Sequence, residues 1–404
     1  MTLKKTGMVV FQINTVINKG SVGRIVQGIG DLLISSGNES YIAYARYGGS
    51  SQSHLIKIGN YINVLSHVFC TRLTDKHGLF STMATKKLIR QIEAIHPDII
   101  HIHNLHGYYI NYKLLFKYFS DSDIPIVWTL HDCWLFTGHC TYFDYCNCEK
   151  WKECCSKCPQ INTYPSAYLD NSKYNFLKKK SAFTSINKMF FVPVSDWMNN
   201  LLKLSFLKNY PSLVIRNGIN LENFNSDKAV QLDYLRDKTV ILGIANVWEK
   251  RKGFYDFIKL ANFLSDDYVI ILIGLNKAQM KKCPPNIIGI SHTKDVTELA
   301  SYYTRANVFL NLTYEDNYPT TNLEAIACGT PVITYNTGGS PESVLPYNGY
   351  VVDKGDINAV LNCVSEVKNG SIPDRSTLKD FAKKHFDQNR CFQEYLKIYE
   401  SLID

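Results

Sequence analysis

No stretch of this 404-residue chain approaches the roughly 18 consecutive apolar residues that a bilayer span needs, which argues against a transmembrane protein. The opening "MTLKKTGMVVFQIN" turns polar at Gln12 and Asn14 before a signal-peptide core could form, so the expected location is the cytoplasm. No Gly-x-Gly-x-x-Gly follows the first strand-like run, which disfavours a nicotinamide dehydrogenase. The basic residues form no long stripe, so nucleic acid is not an expected partner. Solenoid-length repeats and low-complexity tracts are also missing.

The hydrophobic fraction of 45% is enough to build cores, and the length is past the size at which single cores tend to divide, so two domains are expected. A net charge of +8 suits a protein that handles anions such as nucleotides, phosphorylated lipid or an acidic membrane face. Twelve cysteines without an export signal point away from a disulfide framework and toward buried thiols or metal ligation, and seven of them fall between Cys133 and Cys158.

Short apolar runs alternate with helical spacings along the whole chain. "MVVFQI" (8–13) leads through a glycine-bearing loop into Val22, Ile25, Val26, Ile29, Leu32 and Leu33, stopped by Gly37. Strand-like runs recur at 41–45, 98–103, 124–130 and 189–195, then at 239–247, 268–274, 286–291, 307–312 and 331–335. Near-continuous apolar strands between helices indicate parallel sheets covered on both faces. The chain is therefore expected to be α/β with two doubly wound Rossmann-like domains, a first over 1–205 and a second over 206–385. A closing helix over 386–404 has apolar residues at 392, 395, 396, 399 and 402 and should pack back on the first domain.

Ligands of such sheets bind beyond the carboxyl ends of the strands, which directs attention to "NLTYEDNYPTTNLEAIACG" (311–329). It reads as strand, turn at Pro319, and helix from about Thr320 to Cys328. Backbone N–H groups from Thr320 to Asn322, Thr321 included, could hold phosphate oxygens, and the Glu324 carboxylate could accept two hydrogen bonds from a ribose diol. The plainer alternative is that Glu324 complements a helix N-terminus.

With Asp316 and Glu324 eight apart and "EAIACGTPVITYNTGGSPE" following, this stretch resembles the retaining family-4 glycosyltransferases, whose fold is GT-B, two Rossmann-like domains facing across a cleft. The resemblance implies that Asp316 or its neighbour Glu315 contacts the donor sugar, that Glu324 contacts the ribose, and that Gly338 and Gly339 let backbone approach the sugar. "ANVWEKRKGF" (245–254) is similar to the family's cationic segment, implying that Lys252 and Arg251 hold the donor diphosphate, with Asn246 beside them. Fixed cations there stabilise charge as diphosphate leaves. "NKGSVGRIV" (18–26) resembles the family's first glycine loop and implies a donor-phosphate approach at Gly20 and Gly23. "TLHD" (129–132) places His131 after a strand, and the resemblance implies that it touches the donor sugar near the reacting carbon.

"CTYFDYCNCEKWKECCSKCPQ" (140–160) contains Cys155-x-x-Cys158, and Cys140 and Cys148 complete a possible tetrahedral structural zinc site, with His139, Cys146 and Cys154 as alternative ligands. A similar insert, here 133–160, belongs to transferases of capsular and exopolysaccharide clusters. Buried reduced thiols are the competing reading. "DSD" (121–123) imitates a metal-binding Asp-x-Asp but precedes its strand, at the wrong sheet edge. The helical stretch 173–190 mixes lysines with aromatics, as a solvated face or a membrane-surface helix would.

The resemblance implies a retaining hexosyltransferase with no catalytic metal, using a UDP- or GDP-sugar donor and a glycan or lipid-linked acceptor, with peripheral contact to the inner membrane leaflet. Rival readings are a nucleotide-sugar epimerase of the same fold and a noncatalytic zinc-bearing scaffold.

Overall fold

Among the described residues there are twelve strands, all paired in parallel, and the apolar runs account for ten of them. In the computed structural model, which describes residues 7–224 and 232–403, the chain divides into one unit of residues 7–216 with 392–403 and another of 217–391. The first holds β1 (Val9–Val16), β2 (Glu39–Arg46), β3 (His54–Lys57), β4 (Ile99–Ile102), β5 (Ile126–Leu130) and β6 (Met189–Pro193) in the order β3-β2-β1-β4-β5-β6. The second holds β7 (Thr239–Ile244), β8 (Tyr268–Ile273), β9 (Ile287–Ile290), β10 (Val308–Asn311), β11 (Val332–Tyr335) and β12 (Gly349–Val352) in the order β12-β11-β10-β7-β8-β9. Both follow one winding scheme, in which the chain returns to the middle of the sheet after its third strand. Strand order therefore reverses between β1 and β4 in one unit and between β7 and β10 in the other, and a crevice opens there beyond the carboxyl ends.

The central strands are buried on both faces. Val10, Phe11, Ile13, Ile100, Ile102 and Ile126 are at 0% exposure, as are Val240, Ile241 and Leu242. Each large apolar side chain so buried contributes about 1.5–3 kcal/mol. The strands that the sequence pattern missed, β3 and β12, each lie at a sheet edge. The side chains of β3 are largely solvated, so no apolar run marks it.

The first helix, Gly20–Ser35, buries Ile25, Val26, Ile29, Leu32 and Leu33, and Gly37 leaves it at φ +80°. The closing helix, Gln388–Ile403, buries Phe392, Tyr395, Ile398 and Tyr399. Two of its hydroxyls reach into the first sheet: Tyr399 Oη lies 2.7 Å from His101 Nδ1, and Tyr395 Oη lies 3.0 Å from Thr129 Oγ1. The Asp121–Asp123 segment sits at the amino end of β5, away from the carboxyl edge. Among the described residues no helix is long and apolar enough to cross a membrane.

Candidate functional site

Three loops of the second unit leave adjacent strands β7, β10 and β11 and lock together at the reversal of strand order. The loop after β7 turns through Lys250–Lys252 and ends at Gly253, whose φ is +75°. A Cβ on Gly253 would stand 2.0 Å from the Leu312 carbonyl oxygen, so only glycine fits. The loop after β10 is tied back to it: Tyr314 N donates to the Arg251 carbonyl at 2.7 Å, and Arg251 Nη1 donates to the Glu315 carbonyl at 3.0 Å. The loop after β11 closes on the same segment. Thr337 Oγ1 donates to the Tyr314 carbonyl at 2.7 Å, and Gly339 N donates to the Asp316 carbonyl at 3.3 Å. A Cβ on Gly338 would fall 1.8 Å from that carbonyl, at φ +54°.

This frame places Lys252 Nζ 2.6 Å from Asp316 Oδ2, with the two side chains 21% and 16% exposed. Asp316 Oδ1 also accepts from Asn317 N at 3.0 Å. Burial alone would raise the Asp316 carboxyl, but the charges of Lys252 and Arg251 outweigh it and hold the group below its ordinary range. Burial draws the Lys252 ammonium down, with Asp316 opposing. The structure thus joins two residues that the sequence reading named for separate tasks. Asp316 is paired with the Lys252 cation, and its neighbour Glu315 is 3% exposed.

The helix Thr320–Ala327 starts directly after Pro319 and has no side-chain cap. Glu324 is 2% exposed, and its carboxylate accepts from Tyr303 Oη at 3.0 Å and from Thr320 Oγ1 at 3.3 Å. Tyr303 was not foreseen, since it comes from a helix 21 residues earlier. The expected row of N–H groups from Thr320 to Asn322 needs one correction: Asn322 N donates to the Pro319 carbonyl at 3.2 Å in a tight first turn. Asn322 supports the frame instead, accepting at Oδ1 from Asn311 Nδ2 at 2.8 Å. Thr321 is half-buried and Asn246 is exposed just beyond β7.

The remaining expected residues lie in the first unit. Gly20 (φ +65°) opens the helix after β1, and a Cβ there would meet nothing. Gly23, one turn on, is packed against Val16 and Asn18, where a Cβ would come within 3.2 Å. His131 follows β5, is 8% exposed, and has Nε2 3.1 Å from His103 Nδ1. His103 Nε2 in turn meets Gln12 Oε1 at 3.2 Å, while Gln12 Nε2 donates to the Val26 carbonyl. That order fixes the protons: His103 donates from Nε2, and His131 donates from Nε2 to His103, leaving the His131 Nδ1 lone pair free to accept. Burial lowers the His131 pKa to about 4, so the ring is neutral near pH 7.

Cys140, Cys148, Cys155 and Cys158 line one cavity with His139 and Trp151. Among the described residues, however, no group of three or more His, Cys, Asp or Glu side chains is placed to hold a metal ion. Cys155 Sγ accepts from Gly138 N at 3.2 Å, and the neighbouring Cys140 and Cys158 thiols act on each other, Cys140 being pushed up and Cys158 drawn down to about 7.

Comparison with known proteins decides the family. A family model described as Glycosyltransferase Family 4 matches residues 22–223, half of the chain, and one described as Glycosyl transferases group 1 matches residues 231–385. The chain is a family 4 glycosyltransferase. This glycosyltransferase is 23% identical over 429 aligned positions to WcaC of Escherichia coli, assigned as a glycosyl transferase to colanic acid biosynthesis, covering 98% of this chain and 100% of that one. It is 26% identical to the capsular polysaccharide biosynthesis glycosyltransferase CapM of Staphylococcus aureus, over 38% of this chain and 44% of CapM. Among solved structures, sucrose-phosphate synthase of Thermosynechococcus elongatus superposes with a TM-score of 0.73 at 17% identity, covering 98% and 99% of the two chains. Anabaena HepE, solved in complex with UDP-glucose, superposes at 0.67 with 12% identity, covering 98% of this chain and 100% of that one. These superpositions establish the GT-B fold.

Proposed function

We propose that this glycosyltransferase moves a hexose from a UDP- or GDP-sugar to a glycan or lipid-linked acceptor in cell-surface polysaccharide synthesis, with retention of anomeric configuration. The observation that carries the reading is the Lys252–Asp316 pair, held by three loops at the strand reversal of the second unit. In this reading Lys252 and Arg251 stabilise the negative charge that grows on the departing diphosphate, a role in which preorganised charge is most effective. Asp316 orients a sugar hydroxyl and keeps the Lys252 ammonium fixed. The start of the Thr320–Ala327 helix faces the phosphates, and Glu324 takes the ribose diol. Gly338 and Gly339 leave room for the sugar, and His131 accepts a donor-sugar hydroxyl at Nδ1. The leaving diphosphate itself takes the acceptor proton, so the chain contributes positioning and charge rather than a nucleophile.

The names of WcaC and CapM support polysaccharide synthesis, and the HepE complexes support a nucleotide-sugar donor. The helix Ser172–Phe183 exposes Lys173, Tyr174, Leu177 and Lys180, a mixture suited to an anionic membrane surface if the acceptor is lipid-linked. The test is incubation with UDP-glucose, UDP-galactose, UDP-N-acetylglucosamine, GDP-mannose and GDP-fucose, with and without host-cell membranes. Acceptor-dependent nucleotide release and a product of unchanged anomeric configuration by NMR are expected. Conversion of a donor to its epimer without acceptor, or an inverted product, would replace the reading.

A further inference from the structure

The crevice of the first unit, at the reversal between β1 and β4, contains a second polar pair, His106 and Asp132, which lines one cavity with His131. The segment after β4 is drawn onto the end of β1: Thr15 Oγ1 donates to the His106 carbonyl at 2.6 Å, and Asn104 N donates to Asn14 Oδ1 at 3.2 Å. This turns the His106 ring toward the loop after β5, where Nε2 lies 2.6 Å from Asp132 Oδ2, with side-chain exposures of 14% and 12%. The other Asp132 oxygen accepts from Trp134 N at 2.9 Å, so the carboxylate is fixed at both ends. His106 Nδ1 lies 3.1 Å from the hydroxyl of Tyr164, a residue 37% exposed.

A carboxylate can only accept here, so His106 donates from Nε2; in the neutral ring Nδ1 then carries the lone pair and accepts from the Tyr164 O–H. A histidine oriented by a buried acid and presenting its free lone pair to an alcohol is the arrangement that binds a substrate hydroxyl. The alcohol in this structure is the chain's own: the Tyr164 ring is partly exposed, and its hydroxyl is turned inward to His106. Tyr164 Oη therefore stands where the oxygen of an incoming hydroxyl would sit.

The surroundings fit a sugar ring. Tyr108 and Tyr164 meet edge to face, their centroids 5.7 Å apart, and the Arg46 guanidinium lies 5.6 Å from the Tyr108 centroid. His77 packs 4.6 Å from Tyr108 and 5.8 Å from Tyr164. Two polar atoms in this wall are buried without a hydrogen-bond partner among the described residues, His77 Nδ1 and Arg46 Nε. Native interiors leave few such atoms unsatisfied, and each calls for an explanation.

We propose that the His106–Asp132 pair, flanked by Tyr108 and Tyr164, is a carbohydrate subsite that binds a hydroxyl of the acceptor sugar. The assignment to the acceptor rests on the glycosyltransferase reading above, in which the groups assigned to the donor's ribose and diphosphate, Glu324, Lys252 and Arg251, all belong to the second unit.

The test uses the full chain, saturation-transfer NMR with the methyl α- and β-glycosides of glucose, galactose, mannose and N-acetylglucosamine, and calorimetric titration of UDP and GDP on the same samples. Wild-type protein is expected to transfer saturation to at least one glycoside. His106→Gln and Asp132→Asn should reduce that signal at least fivefold while leaving nucleotide affinity within twofold. Tyr164→Phe keeps the ring and removes the competing hydroxyl, so it should raise the signal. No glycoside bound by wild type, undiminished binding in both His106→Gln and Asp132→Asn, or a loss in Tyr164→Phe equal to theirs would overturn the subsite. Glycoside binding without any nucleotide binding would keep the subsite and remove its assignment to an acceptor.

Discussion

Replacing Lys252 by alanine separates the two things this side chain is held to do. In the folded protein its ammonium is 2.6 Å from Asp316 Oδ2, and neither side chain is more than 21% exposed. Removing one partner of a fully buried pair costs about 3–5 kcal/mol, because the other charge is left without compensation. The remaining exposure lets water screen Asp316, so a loss of about 2 kcal/mol is expected for the second unit. The effect on rate follows from a different quantity. One preorganised donor facing developing charge is worth about 10²–10³ in kcat. Arg251 stays in the same loop, anchored on the Glu315 carbonyl, so the fall should be near the lower value, about 10². Adding Asp316→Asn removes the orphaned carboxylate and should recover part of the stability but none of the rate. The assays are thermal unfolding and initial rates of nucleotide release at saturating donor. A Lys252→Ala enzyme within threefold of wild-type kcat would refute the charge-stabilising role. A double variant recovering rate together with stability would reduce Lys252 to a structural ion pair.

Three further outcomes follow from the same geometry. Gly338→Ala forces a Cβ to within 1.8 Å of the Asp316 carbonyl at φ +54°; the loop should shift, abolishing transfer and lowering Tm, and an active Gly338→Ala enzyme would contradict the packing of these loops. Tyr399→Phe strands the buried His101 Nδ1 at the closing helix, which should cost about 1–3 kcal/mol in denaturant unfolding. Acid should destabilise the first unit. Burial lowers His67 and His101 from 6.5 to about 3, and His131 to about 4. Between those values and 6.5 the unfolded chain binds protons that the folded chain refuses, so stability falls as pH drops from about 6.5. Each group removes up to about 1.4 kcal/mol per pH unit; flat stability from pH 7 to pH 5 would show that these rings are charged or accessible.

Much of this was legible in the sequence because apolar runs of four to eight residues report strands buried on both faces. The two-sheet α/β fold and most strand positions came from that signal, and β3 and β12 escaped it because edge strands bury less. The loop residues Lys252, Asp316, Gly338 and Glu324 could be named from their motif, but their mutual contacts could not. Lys252 meets Asp316 across 64 positions, a closeness that depends on β7 and β10 being neighbours. Likewise His106 and Asp132 are 26 apart and meet only because β4 lies beside β5. The run "HIHNLH" (101–106), which spans the end of β4 and the loop after it, was the available signal. Cysteine spacing brings thiols near one another along the chain, but it carries no information on where each sulfur points.

The central claim is that the second unit binds a nucleoside diphosphate through the loops after β7, β10 and β11. Its most direct test is calorimetric titration of UDP, GDP, CDP and dTDP into wild-type protein and into Glu324→Gln, which keeps size and shape but removes the charge. The account predicts that one nucleotide binds wild type and binds Glu324→Gln at least tenfold more weakly, with Tm little changed. A wild-type protein that binds none of the four, or a Glu324→Gln protein that binds as well as wild type, would contradict it.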